Sequence, residues 1–389
     1  MKPPASLPGP LRSVGILAFA LLLARTTSAL AAVITVGPNE TITRIADAAR
    51  IARDGDTVLI KPGTYRGDVA VWPQQDLEIR GVGARPVLLA DGPLAEGKGI
   101  WVLRSGRFRI SNIEFRGARA PAGNGAGIRF ERGTLELADC VFEDNENGIL
   151  TGNEADSALR IANSVFGHAP KGGPLLPHLL YVGRIGHFVL EGSHFQQGHR
   201  GHLVKSRARV SEVRYNWLAD GPGGTASYEL EFPEGGDAQV VGNLIAQSAT
   251  TDNPAIVSYG AEHGRWPANR LQLSHNTLIN DGDRPGQFAS VSFERLPADA
   301  RVSTRNNLLL GPGSFVEAMP GDHRGNAHLP AGASAWPGPQ LAPVPSADDI
   351  GLAPGAEFRF PAGTRPLGST QRWLPGAFQT PPAGDAPAR

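Results

Sequence analysis

The sequence predicts an all-β solenoid, a chain wound into stacked coils, and three observations predict it. A segment of the form apolar-x-x-small/Asn-x-apolar recurs as Ile110 to Phe115, Leu137 to Phe142, Ile161 to Phe166, Leu190 to Phe195, Val213 to Leu218, Val240 to Ile245, Leu273 to Leu278 and Thr304 to Leu309. The last residues of these segments are 27, 24, 29, 23, 27, 33 and 31 positions apart, and a strand pattern at such a period with no helices between means stacked coils. The second observation is composition: 49 glycines and few helix-favouring runs point to many short strands joined by turns. The third is that polar side chains recur at the coil spacing in two further columns, described below.

At the N-terminus, Lys2 and Arg12 precede an apolar core, Val14 to Leu23, and Ala29-Leu30-Ala31 follows. That order is that of a secretory signal peptide. Residues 1–31 are therefore expected to be removed on export to the periplasm or the outside. The apolar core is short for a membrane span, and no later stretch reads as one. Thr41 to Arg53 places Ile42, Ile45, Ala46, Ala49 and Ala52 at helical spacing, which predicts one amphipathic helix before the coils.

Coils are expected over residues 32–330. The fourth position of the repeat holds Ser164, Ser193, Asn216, Asn243, Asn276 and Asn307. Four consecutive asparagines at the coil period predict a ladder of side-chain amides from coil to coil, the alternative being independent turn asparagines. From Ala331 to Pro345 proline, glycine and alanine dominate, so 331–379 is expected to be an irregular closing segment and 380–389 a disordered tail.

The chain carries 37 basic and 37 acidic residues. No global field draws it to nucleic acid or to an anionic membrane, so a polyanion must be met by a local patch. A single cysteine, Cys140, excludes an intrachain disulfide and reads as a small buried hydrophobe.

That patch is expected in Gly201-His202-Leu203-Val204-Lys205-Ser206-Arg207. Period-two alternation puts Leu203, Lys205 and Arg207 on one face. His178, His202 and Tyr228 form one column at steps of 24 and 26, and Tyr181, Lys205 and Glu231 form another at the same steps. Adjacent parallel strands lie about 4.8 Å apart, so each column would be a ladder of touching side chains.

Two stretches carry a resemblance. A short helix followed by Asp54-Gly55-Asp56-Thr57-Val58-Leu59-Ile60-Lys61-Pro62-Gly63-Thr64-Tyr65 resembles the opening of the pectin-lyase-like right-handed parallel β-helix superfamily. The resemblance implies a right-handed parallel β-helix whose open end is covered by the helix. Phe358-Arg359-Phe360 with Leu374-Pro375-Gly376-Ala377-Phe378 resembles the closing part of such proteins, which implies a final strand ending the solenoid. Lys205-Ser206 also resembles the Lys-Ser that carries the base in alginate lyases and chondroitinase B-like enzymes. Where those have an arginine on the next coil, this chain has Glu231 and Pro233.

A uronate lyase must neutralise the uronate carboxylate, remove the adjacent proton and protonate the departing glycosidic oxygen. The candidate catalytic set is His202, Lys205, Arg207, Tyr181, His178 and Tyr228. Glu231 beside Lys205 favours the ammonium form, so Lys205 and Arg207 are expected to bind the carboxylate. His202 or His178 is then the proton acceptor, and Tyr181 or Tyr228 the donor. Glu231, Asn253, Tyr259 and Arg184 are candidate substrate-binding residues, with Glu262 on the coil of Asn253 and Tyr259. Glu229 and Glu231 alternate onto one face and would suit Ca²⁺ if the enzyme uses a cofactor at all; nothing has zinc spacing.

The expected activity is β-elimination on an anionic, uronic-acid-containing polysaccharide by a secreted monomer. The same groups would serve a C5-epimerase, or a non-catalytic polysaccharide-binding or assembly protein. The paired aspartates of a glycoside hydrolase are not evident in the coils.

Overall fold

The structure, a computed structural model, describes residues 1–2, 31–173, 175–316, 320–333, 344, 351–368 and 372–380. From Ala32 onward the chain is one compact unit, a parallel β-helix built from sheets of 12, 11 and 10 strands. Each coil adds one strand to each sheet. Ala158–Ala162 joins the 12-stranded sheet, Val165–Gly167 the 11-stranded and His178–Val182 the 10-stranded, and each pairs in parallel with its counterpart one coil on.

The repeat segments span the bend from the 12-stranded to the 11-stranded sheet. Their closing residues face inward and stack: Phe115, Phe142, Phe166 and Phe195 have centroids 5.1, 4.6 and 4.4 Å apart, with planes within 10° of parallel. Leu218, Ile245, Leu278 and Leu309 continue the row in register. Cys140 sits in this interior as expected, and burial pushes its thiol up to about 12.

The amide ladder is present. Asn216 donates through its backbone N and its Nδ2 to Asn243 Oδ1, both at 2.9 Å. Asn243 does the same to Asn276 and Asn276 to Asn307, all four bonds at 3.0 Å. Asn326, which the repeat did not single out, ends it at 3.0 and 2.9 Å from Asn307. The residue before each ladder position has positive φ, for example Tyr215 at 55°, Gly242 at 66° and His275 at 53°. That tight bend aims the following side chain into the dry interior, where an amide must find its partners within the protein. Asn243→Leu would orphan Asn216 N, Asn216 Nδ2 and Val213 O, the last of which accepts from Asn243 Nδ2 at 2.8 Å. A loss on the order of 3 kcal/mol is expected, read as a fall in melting temperature; an unchanged melting temperature would show that the ladder adds nothing.

The helix is shorter than its sequence pattern, Ile45–Ile51 rather than 41–53. Its ends are set by side chains from the next coil. Asp68 accepts from the backbone N of Ile45 and Ala46 at 2.6 and 3.0 Å, and Gln74 Nε2 donates to the carbonyls of Ala49 and Ala52, both at 2.9 Å. The helix packs on Ala70–Trp72, the edge strand of the 10-stranded sheet, and so covers strand groups that would otherwise be open to another chain.

The expected final strand is not there. Ala356–Phe358 pairs antiparallel with Thr364–Pro366, and Gly376-Ala377-Phe378 forms no strand. The segment instead runs back along the side of the solenoid. Gly376 N reaches Asn306 O at 2.8 Å, Ala377 N reaches Thr277 Oγ1 at 3.0 Å, and Gly363 N reaches Gly192 O at 2.7 Å. The outer face of the 11-stranded sheet carries Trp217, Leu244, Ile279 and Leu308, an apolar surface that this strap covers with Phe358 and Phe378. The signal-peptide stretch (3–30), most of 331–350 and the tail (381–389) lie outside the described residues. No helix among the described residues is long and apolar enough to cross a membrane.

Candidate functional site

The two polar columns meet on the outer face of the 10-stranded sheet. Tyr181 pairs in register with Lys205 and Lys205 with Glu231, while His202 pairs with Tyr228. The rings follow the same order, with His178 and His202 centroids 4.6 Å apart and His202 and Tyr228 5.1 Å apart.

Strict alternation would not produce this face, because His202 and Lys205 are three residues apart. The strand His202–Ser206 buries both Leu203 and Val204 in the core. Two consecutive inward residues return Lys205 to the side of His202, which corrects the expectation that Leu203 shares the cationic face. The same pair of inward positions recurs as Leu179 and Leu180 one coil before and as Glu229 and Leu230 one coil after. Gly201 permits the close approach of the histidines. A Cβ there would lie 1.7 Å from Pro177 O and 3.0 Å from His178 Nδ1.

Glu231 is the centre of the patch. One of its oxygens, Oε2, lies 3.1 Å from His202 Nδ1 and 3.0 Å from Lys205 Nζ. Burial opposes ionisation of Glu231, but the His202 and Lys205 contacts outweigh it and hold the carboxyl down at about 2. Arg207, just past the strand, donates to Glu262 and to the Tyr181 hydroxyl, and its guanidinium lies 5.1 Å from the Tyr181 ring centroid. Arg184 forks onto Glu234 at 2.9 and 2.8 Å, and Arg207 Nε is 3.2 Å from the same carboxylate. His178 Nδ1 is 2.9 Å from Leu176 O. Burial, then His202 and Lys205, push its imidazole down to about 3, so it stays neutral and is a weak proton acceptor.

Three sequence-derived candidates fall away from the patch. Tyr259 points into the core, fully buried, with its hydroxyl donating to Gly236 O at 2.6 Å; burial, then Asp237, push its phenol well up. It cannot form a subsite wall. Asn253 holds its own turn, its Oδ1 accepting from Ala255 N and its Nδ2 donating to Ser227 Oγ, both at 3.0 Å. Glu229 also points inward, in a column with Leu203 and Ile256, while Glu231 points out, so the pair drawn for Ca²⁺ is not assembled. Among the described residues no three His, Cys, Asp or Glu side chains gather as a metal site.

Glu234 is the residue that sequence reasoning missed. It follows its strand in the turn position of Arg184 and Arg207, at coil steps of 23 and 27, and that charged turn column was the available signal.

A concavity of about 460 Å³ opens on the outer face of the 11-stranded sheet, lined by His194, Gln196, Gln197, Trp217, Asp281 and Phe360 among others. No lysine or arginine among the described residues lines it, so it offers nothing to neutralise a carboxylate. The His-Tyr-Lys-Arg face does.

No protein-family model matches the chain, and no curated protein matches it in sequence. Among solved structures, an alginate lyase from Paenibacillus sp. str. FPU-7 is similar with a TM-score of 0.52 at 13% identity, over 77% of this chain and 99% of that one. Pectate lyase Pel9A gives 0.46 at 15% identity, over 90% and 96%. The Streptococcus pneumoniae surface protein and adhesin PfbA gives 0.42 at 11%, over 73% and 91%. What the Paenibacillus enzyme shares with this chain is its fold.

Proposed function

We propose that this β-helix is an exported lyase that cleaves an anionic, uronic-acid-containing polysaccharide by β-elimination. The observation that carries the reading is the contact of the His202 imidazole with the Glu231 carboxylate at 3.1 Å, on the face that also presents Lys205 and Arg207. Export rests on the order of charge, apolar core and small residues in the first 31 positions.

Each side chain has a role in this reaction. Arg207 and Lys205 bind the uronate carboxylate and so acidify the neighbouring C–H, because the charge that develops on proton loss spreads onto that carboxylate. The Glu231 carboxylate, 3.1 Å from His202 Nδ1, favours the tautomer with its proton on Nδ1, which leaves Nε2 as the proton acceptor, and its charge stabilises the imidazolium formed. His202 takes this role in preference to His178. Tyr181, whose hydroxyl oxygen accepts from Arg207, keeps its own proton for the departing glycosidic oxygen. Elimination then forms a carbon–carbon double bond in the sugar and breaks the glycosidic bond, with no water consumed.

The test is incubation of the purified protein with alginate, polygalacturonate, hyaluronan and chondroitin while following the ultraviolet absorbance of the unsaturated product. Product from one of them is expected. Solvent-proton exchange without cleavage would replace the lyase by an epimerase, and binding without either would replace it by a polysaccharide-binding protein.

A further inference from the structure

The site is electrically closed. Three cations, Arg184, Lys205 and Arg207, face three carboxylates, Glu231, Glu234 and Glu262. The carboxylates are not equivalent. The side chains of Glu231 and Glu234 are 5% and 4% exposed and are fixed beneath the cations, whereas that of Glu262 is 42% exposed and lies over them.

Glu262 meets the cations as a bound carboxylate would. Its Oε2 is 3.2 Å from Arg207 Nε, and its Oε1 is 2.7 Å from Arg207 Nη2 and 3.2 Å from Lys205 Nζ. That is a forked arginine pair with a lysine on one oxygen. The backbone around it is tied down separately. Glu262 N donates to Pro233 O at 2.7 Å, Gly264 N donates to Arg295 O at 3.0 Å, and the Arg295 guanidinium holds Ala261 O. Rotation about the Glu262 side-chain bonds alone would clear the two cations without moving the chain.

We propose that Glu262 is a resident competitor that fills the carboxylate subsite, and that a uronate enters by displacing it. The inference rests on the reading of Lys205 and Arg207 as carboxylate binders. Exchange of one carboxylate for another leaves the charge of the site balanced, so no buried cation is stripped of its partner during entry. A neutral sugar offers nothing in exchange and leaves Glu262 in place. The residue thus sets a threshold that only a ligand with a carboxylate at the right position passes, which is discrimination by a repulsive element as well as an attractive one.

The experiment titrates glucuronate, polygalacturonate and, as a neutral control, glucose into the full chain and into Glu262→Gln, Glu262→Ala and Glu136→Gln, by calorimetry. Trp266 fluorescence gives a second readout, since its indole N–H donates to Arg207 O at 3.1 Å. Glu136, exposed on the strand Thr134–Ala138 of the 12-stranded sheet, controls for the change in net charge. Both Glu262 variants are expected to bind the uronates about tenfold more tightly or better, with Glu136→Gln and the glucose response unchanged. Equal or weaker uronate binding in both Glu262 variants, including no binding by any of the proteins, overturns the displacement. Tighter binding without unsaturated product from any polymer upholds the displacement and removes the lyase reading. Product from the unaltered chain without tightening does the reverse.

Discussion

Replacing His202 by glutamine is expected to lower the rate of unsaturated-product formation by about 10²–10⁴-fold, the usual worth of a positioned general base, while polysaccharide still binds and the melting temperature holds. Glutamine keeps a polar group beside Glu231 but has no basic nitrogen to take the proton. The comparison that gives the result its meaning is His178→Gln. His178 contributes little proton affinity because burial, then His202 and Lys205, hold it at about 3, and its Nδ1 faces Leu176 O, so its loss is expected to change rate much less. A larger loss at His178 than at His202 would reverse the assignment of the base. Glu231→Gln is expected to fall with His202→Gln in rate and to lose stability as well, because it leaves Lys205 and His202, each with a side chain about 10% exposed, without their shared anion.

The second large effect is on stability. Glu229→Leu is expected to raise stability by about 1–3 kcal/mol, the penalty of a buried polar group without adequate partners, and to raise it more as the pH rises. Glu229 is fully buried between Leu203 and Ile256, and neither carboxyl oxygen makes a hydrogen bond of good geometry. Burial, then the Asp220 carboxyl, push its ionisation well above the ordinary 4.5. Unfolded, Glu229 ionises near 4.5; folded, it keeps its proton. Above pH 4.5 the unfolded chain therefore releases a proton that the folded chain retains, and stability falls by about 1.4 kcal/mol per pH unit until the folded group also ionises. Asp220 adds to the same slope. Burial raises it to about 6 against the pull of the Ala226 and Gly198 N–H groups, a loss of about 3 kcal/mol above that pH.

Two histidines act in the opposite sense. His178 at about 3 and His194 at about 4, both lowered chiefly by burial, make the folded state less stable as pH falls below 6.5, where only the unfolded chain takes the proton. Glu231, held at about 2, gives stability that is complete above pH 4.5. The clean measurement is the difference in melting temperature between Glu229→Leu and the unaltered protein, which is expected to widen from pH 4.5 to pH 8. A constant difference would mean that Glu229 is ionised in the folded state, and a lower melting temperature for the variant would mean that its carboxyl is satisfied where it lies.

Much of this protein was legible before any coordinates. The repeat ending in Phe115, Phe142, Phe166 and Phe195 and continued to Leu218, Ile245, Leu278 and Leu309 specified both the coil and its bend, because an inward apolar residue two positions after a small side chain or an asparagine, at a fixed period, is the local chemistry of that bend. The columns through Lys205 and His202 followed from the same period, since a solenoid turns sequence spacing into spatial contact. The helix was found, but not its ends, which belong to Asp68 and Gln74 of the next coil. Tyr259 and Asn253 were misplaced because a polar side chain near a strand reads alike whether it faces solvent, its own turn or the core.

By itself, then, the sequence determined the winding of the chain and which residues stack above one another, because a repeat that buries an apolar row at each turn has one way to stack. Tertiary structure decided which way each side chain points and what charge it meets. Two consecutive inward residues, Leu203 and Val204, put His202 beside Lys205, and the analogous pair sends Glu229 into the core and Glu231 out. Whether Arg184 and Arg207 stand free or paired depended on Glu234 and Glu262, which arrive from turns one and two coils away. Such contacts form through space between chain segments that no local pattern links, and the balance of charge they create is what the proposed chemistry rests on.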